Sequence, residues 1–180
     1  MNARPGGRSH WWWAGLVAGA VLLVALLLQL RAGGAPAPRA ADSPIVDAAL
    51  ADYRRTLAGE LPGSAGDLAT VRAGLAFPVR LLGAPDAHLV SAWSTTLRGE
   101  PAAALAYRWG GGVVVQYVVS ERLFFRQPDV RRAVAARRVF AAVHGAQGVL
   151  AWAEPASGAL LVGDASPAEL ARARGGTVTF

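Results

Sequence analysis

Twenty residues, Trp11 to Leu30 (WWWAGLVAGAVLLVALLLQL), constrain this chain more than any other feature. Gln29 is their only strongly polar side chain. As a helix they extend roughly 30 Å, the thickness of a bilayer core. A spanning helix satisfies its own backbone hydrogen bonds, so it needs no partner in lipid. Trp11, Trp12 and Trp13 stand at one end, where indoles prefer the membrane interface. Arg31 follows the other end and can snorkel to headgroups. The sequence therefore predicts a single transmembrane helix with these four residues as interface anchors. The competing reading is a cleaved signal peptide, with Arg4 and Arg8 as its basic start and Ala32-Gly33-Gly34 as a small-residue cleavage site. The length of the apolar run and its three leading tryptophans favour a retained anchor.

The remainder divides simply. Residues 1–10 read as a short cytoplasmic tail and 31–43 as an Ala/Gly/Pro tether. Residues 44–180 are enough for one domain with an ordinary core. Arg4 and Arg8 before the helix nearly balance Arg31 and Arg39 after it. Ten residues are too few to fold, and a large domain translocates regardless of its charge, so the domain is expected outside the cytoplasm. The chain has no cysteine, which excludes disulfides, thiolate metal sites and a cysteine nucleophile. All 18 basic residues are arginine and the formal charge is +6. Beside a membrane, that charge points to anionic lipid rather than nucleic acid.

Within the domain, Ser43-Pro44 starts a helix in which Ile45, Ala49, Tyr53 and Leu57 recur on one face. Gly59 and Pro62 end it. Residues 63–74 read as loop with a short helical turn. Strands are expected at Pro78–Leu82, Ala87–Leu97, Ala102–Trp109 and Val113–Val119, with turns at Arg98–Pro101 and Gly110–Gly112. The Val113–Val119 run is apolar throughout and should be central. A helix over 129–136 follows, then Val139–Val143 as a strand or an extension of that helix. A last hairpin joins Gln147–Ala153 to Gly158–Gly163 across Glu154–Ser157, and a helix capped by Ser166 runs to Arg174. Short turns require antiparallel neighbours. The expected fold class is α+β: one antiparallel sheet with flanking helices. No internal repeat is visible.

Residues that carry chemistry are sparse. His10, His88 and His144 are too scattered for a metal site. No G-x-S-x-G turn occurs, and Ser64 and Ser157 lack a neighbouring base. Asp47 with Asp52, and Glu100 with Glu121, show no local apolar setting; most acids are expected to be solvated or paired with arginine. Gly110-Gly111-Gly112 joins two strands and so is a hairpin turn, not a phosphate loop. Trp93, Trp109 and Trp152 read as packing residues. No catalytic residue, metal or cofactor is expected. The one candidate contact surface is Arg122, Arg126, Arg131, Arg132, Arg137 and Arg138, opposed locally by Glu121 and Asp129. It is either a solvated face or a surface for anionic lipid or a partner.

The segment order resembles the extracytoplasmic region of membrane-anchored anti-sigma factors, bacterial regulators of extracytoplasmic-function sigma factors. The resemblance lies in Val46-Asp47 to Tyr53–Leu57, Phe77-Pro78-Val79, Leu97–Ala103 running into Tyr107-Arg108, and the Val113–Val119 strand. It continues through Gly148–Trp152, Gly158–Asp164 and Glu169-Leu170. It implies an outer domain in the bacterial inner membrane that senses a ligand or contacts a partner protein. The family's cytoplasmic zinc motif, H-x-x-x-C-x-x-C, has no counterpart here. Direct sigma-factor binding by Met1–His10 is therefore not expected; a link to transcription would run through another membrane or envelope protein, or through a separately encoded half of a split regulator. The alternatives are a structural or assembly protein of the envelope and a small envelope hydrolase.

Overall fold

A computed structural model describes residues 43–59 and 65–175 of this protein. The expected anchor Trp11–Leu30, the tail, and the tether up to residue 42, Arg31 included, lie outside the described residues. No described helix is long and apolar enough to cross a membrane.

The elements run α1 (Pro44–Leu57), β1 (Ala65–Gly66), α2 (Leu68–Ala73), β2 (His88–Leu97), β3 (Glu100–Trp109), β4 (Gly112–Ser120), α3 (Glu121–Phe125), α4 (Pro128–Arg137), β5 (Phe140–His144), β6 (Gln147–Glu154), β7 (Ser157–Gly163) and α5 (Pro167–Arg174). The sheet order is β1-β2-β3-β4-β7-β6-β5 and every pairing is antiparallel. The fold is thus α+β, and the apolar run read as central, β4, is the middle strand. The topology contains a repetition that the sequence hides. A helix followed by a three-strand meander occurs twice, α1 with β2-β3-β4 and α4 with β5-β6-β7, and the two meanders meet at β4–β7.

Both faces of the sheet are covered. Ala102, Ala104, Val115, Tyr117, Val119, Leu160 and Val162 form one core with α1, α3 and α4. Ala103, Leu105, Tyr107, Val114, Val118, Leu150 and Leu161 form a second with Val71 of α2 and Leu170, Ala171 and Ala173 of α5. Burial on both faces explains why β4 and β7 are apolar without alternation. Burying each large side chain such as Trp93 or Leu160 contributes about 2–3 kcal/mol. The Phe124 ring sits directly on Gly158 of β7, where any Cβ would overlap it.

The hairpins are tighter than their sequence signals. Leu97 pairs with Glu100, Trp109 with Gly112, His144 with Gln147 and Glu154 with Ser157, so each turn has two residues. Gly110 and Gly111 both have positive φ, which the type I′ geometry of such a turn demands. Arg98 makes the same demand without a glycine, at φ 55.

Two expectations are corrected, and one element had no expectation. Residues 78–82 are not a strand. They lie across the second face, where side chains and not a ladder satisfy their backbone. Arg72 donates to the Val79 carbonyl at 2.9 Å and Gln116 Nε2 to the Arg80 carbonyl at 3.1 Å. The Leu82 N–H donates to the Tyr107 hydroxyl at 3.3 Å, and the Gly83 N–H to the Arg174 carbonyl at 3.1 Å. Ser43 precedes α1 but its buried side chain makes no capping bond. Finally, α3 has five residues, too few for periodicity to reveal; its signal is Ser120, whose Oγ accepts from the Leu123 N–H at 3.2 Å.

Candidate functional site

The six expected contact arginines come together on α3, α4 and their C-caps. Leu123 and Phe124 anchor α3 in the core, which leaves Arg122 and Arg126 exposed. Val130 and Val134 do the same for α4, exposing Arg131, Arg132, Arg137 and Arg138. Their opposition is broader than the sequence indicated. Glu100, carried to the cluster by the β2–β3 hairpin, pairs with Arg126 at 3.0 Å and Arg122 at 3.5 Å. Arg132 pairs with Asp129. Exposed pairs of this kind contribute at most about 1 kcal/mol each. Among the described residues, Arg131, Arg137 and Arg138 have no ion-pair partner. Trp11, Trp12, Trp13 and Arg31 lie outside the described residues.

A second feature lies at the opposite end of the sheet. A cleft of about 520 Å³ opens where the end of α1, the Gly110–Gly112 turn and the β7–α5 connection converge. Leu57, Trp109, Val113 and Val114 form its apolar wall, and Asp86, Asp164, Glu169 and Arg172 its polar one. The Tyr53 hydroxyl, held by the core-facing stripe of α1, donates to the Val113 carbonyl at 3.1 Å and fixes the rim. Burial, and then the Asp164 charge, push its phenol pKa up, so it remains a neutral donor. Glu169 is occupied locally. It closes a capping box with Ser166, whose backbone N–H donates to Oε2 at 2.8 Å, and it approaches Arg172 at 3.7 Å. Those bonds to Ser166 hold its pKa down. Among the described residues Asp86 and Asp164 have no ion-pair partner, so they are the cleft's available carboxylates. Trp109 is partly buried and packs against the second core as expected, while also bordering the cleft; Trp93 and Trp152 are in the core.

A third feature is buried. Asp52, on α1, is 0 % exposed; Arg55 reaches its Oδ1 at 2.9 Å and Thr95 Oγ1 donates to the same atom at 3.4 Å. Its Oδ2 and the nearby Tyr117 hydroxyl have no hydrogen-bond partner. The two groups are close enough for Asp52 to act on the phenol. Burial first, and the Asp52 charge second, push Tyr117 far above the normal phenol range. The expectation that Asp52 has no apolar setting is corrected, although its pairing with arginine is as expected.

Sequence reasoning missed the cleft. Asp86 and Asp164 belong to two separate connections and Trp109 to the end of β3, and nothing in their spacing brings them together. Among the described residues, no three His, Cys, Asp or Glu side chains form a metal-ligand set. The cleft instead combines two carboxylates, a neutral phenol and an apolar wall, a combination that suits binding of a polar or cationic group with an apolar arm. Comparison with known protein families, with curated proteins and with solved structures finds no match for this chain.

Proposed function

We propose that this protein is a single-pass, membrane-anchored binding domain outside the cytoplasm. It resembles the outer part of anti-sigma factors and feeds an envelope-stress response through a partner protein. The carrying observation is where the resembling residues fall. Leu97–Ala103 and Tyr107-Arg108 lie on the β2–β3 hairpin, Val113–Val119 on β4, Gly148–Trp152 on β6 and Gly158–Gly163 on β7, with Asp164 just past its end. These strands include the four adjacent central ones, and Asp164 and Glu169 border the cleft. The resemblance thus follows the frame that shapes a binding cleft, with no catalytic constellation among its residues.

The Trp11–Leu30 segment supplies the anchor in this reading, and membrane lipid and a second envelope protein are the partners. The test has two arms. A reporter active only outside the cytoplasm, fused after Phe180, should be active, and the full-length protein should resist alkaline carbonate and yield to detergent. Activity of a cytoplasmic reporter alone at that position reverses the orientation, and a mature N-terminus near Ala35 removes the anchor. In the second arm, Asp164→Asn with Asp86→Asn should change the transcript level of envelope-stress genes in cells carrying the variant. An unchanged response, with the variant present at normal abundance, rules out the cleft as the sensing site.

A further inference from the structure

We propose that the outer edge of β5, Phe140–His144, is a strand-addition site for an extended, acidic segment of a partner protein. The proposal stands apart from the cleft and from the membrane anchor.

Among the described residues β5 is last in the sheet order and pairs with β6 alone. Its two faces are already used. Phe140 and Ala142 join the core that includes Val130 and Val134 of α4, and Ala141 packs against the core that includes α5. What β5 presents is therefore its edge: a row of backbone N–H and C=O groups with no strand outside it among the described residues. Sheet edges are normally blunted by charge, proline, bulges or a covering element. The opposite side of the sheet shows two of these devices. β1 covers part of β2, and the β2 register is irregular between Leu89 and Ser91. β5 (FAAVH) has no proline and no carboxylate, arginine or lysine, and its register with β6 is regular throughout. Val143 is 48 % exposed and offers an apolar anchor at the edge, while His144 Nε2 is enclosed without a hydrogen-bond partner.

Charge selects the occupant. Arg137 and Arg138, separated from the strand by Val139 alone, are exposed and have no ion-pair partner among the described residues. Arg138 takes a left-handed conformation at φ 65, which turns the chain sharply from α4 toward β5. A five-residue strand extends roughly 17 Å and pairs with only about five residues of another copy, against the roughly 20–30 residues a side of a stable dimer interface. A second copy would also bring the same positive charge. An extended segment rich in Asp or Glu gains backbone pairing from the edge and charge pairing from the two arginines.

The test uses the full-length protein in detergent and synthetic eight-residue peptides alternating Glu with Val. The acidic peptide should bind and slow amide exchange selectively within Phe140–His144. An N-methylated peptide of the same sequence keeps its charge but cannot pair as a strand; its binding should fall at least tenfold, as should that of a Lys/Val peptide. Arg137→Gln should weaken the acidic peptide severalfold and Arg137→Lys should retain it. Equal binding of the N-methylated peptide, protection at another element, no binding of the acidic peptide, or a stable dimer cross-linked through Val143→Cys would overturn the proposal.

Discussion

On the sheet face covered by α2 and α5, the buried Tyr107 hydroxyl accepts from the Leu82 N–H and donates to Gln116 Oε1 at 3.0 Å. On the face covered by α1, α3 and α4, the equally buried Tyr117 hydroxyl has no partner. The difference follows from what covers each face. Helices satisfy their own interior backbone, so a side chain beneath them has little backbone to serve. The segment 78–82 has no ladder, and its N–H and C=O groups need partners from below. Tyr107 and Gln116 supply them. Tyr107 and Gln116 are therefore held tightly beneath the irregular segment, while Tyr117 is left open beneath the helices.

Gln116→Leu attacks the closed network at its centre and should have the largest effect. It strands the Arg80 carbonyl and removes the acceptor of Tyr107, at a cost of about 2–4 kcal/mol in chemical denaturation. A loss below about 1 kcal/mol would mean that segment 78–82 is held by its apolar contacts alone.

Tyr107→Phe should cost about 1–2 kcal/mol, because the Leu82 N–H loses its acceptor. It should also alter the alkaline limb of stability. Burial raises the Tyr107 pKa to about 12 in the folded protein, from 10.0. The folded state then holds a proton that the unfolded state releases, so the contribution is complete below pH 10 and is lost as pH rises toward about 12. The variant should lose stability less steeply over that window than the parent. An identical slope would show that Tyr107 ionises freely in the fold.

Tyr117→Phe is the same chemical change on the other face and should have the smallest effect: within about 0.5 kcal/mol, and on the stabilising side, since an unpaired buried hydroxyl is removed. A cost comparable to that of Tyr107→Phe would show that Asp52 and Tyr117 are hydrogen-bonded in solution, and the contrast between the faces would disappear.

The same contrast explains what could be read beforehand. α1, β2, β3, β4, α4, β6, β7 and α5 were legible because each carries its own pattern: a helical stripe in Ile45–Tyr53, an apolar run in Val113–Val119, a cap at Ser166. Val139–Val143 fits a strand or a helix by pattern, and the Arg138 left-handed turn decides for the strand. The Pro78–Leu82 misreading has a plain cause. An extended, apolar pentamer looks the same to periodicity whether it joins a sheet or lies across one, and the deciding partners, Gln116 and Tyr107, are remote in sequence. Of the candidate site, the arginines could be found as a local cluster. Glu100, Asp86, Asp164 and the burial of Asp52 could not, because each depends on the order of strands.

That order has a kinetic side. Each meander closes through two-residue turns, so its contacts are local. The seam between them is not: β4 must find β7, joining Ser120 to Ser157 and Val114 to Gly163 across α3, α4 and two further strands. Loop closure makes such pairing slow relative to hairpin formation. Until the seam forms, β4 and β7, the two most apolar strands, are unpaired edges. A newly made chain therefore exposes its stickiest surface in the interval between finishing β4 and finishing β7, and that is when it most needs protection from aggregation.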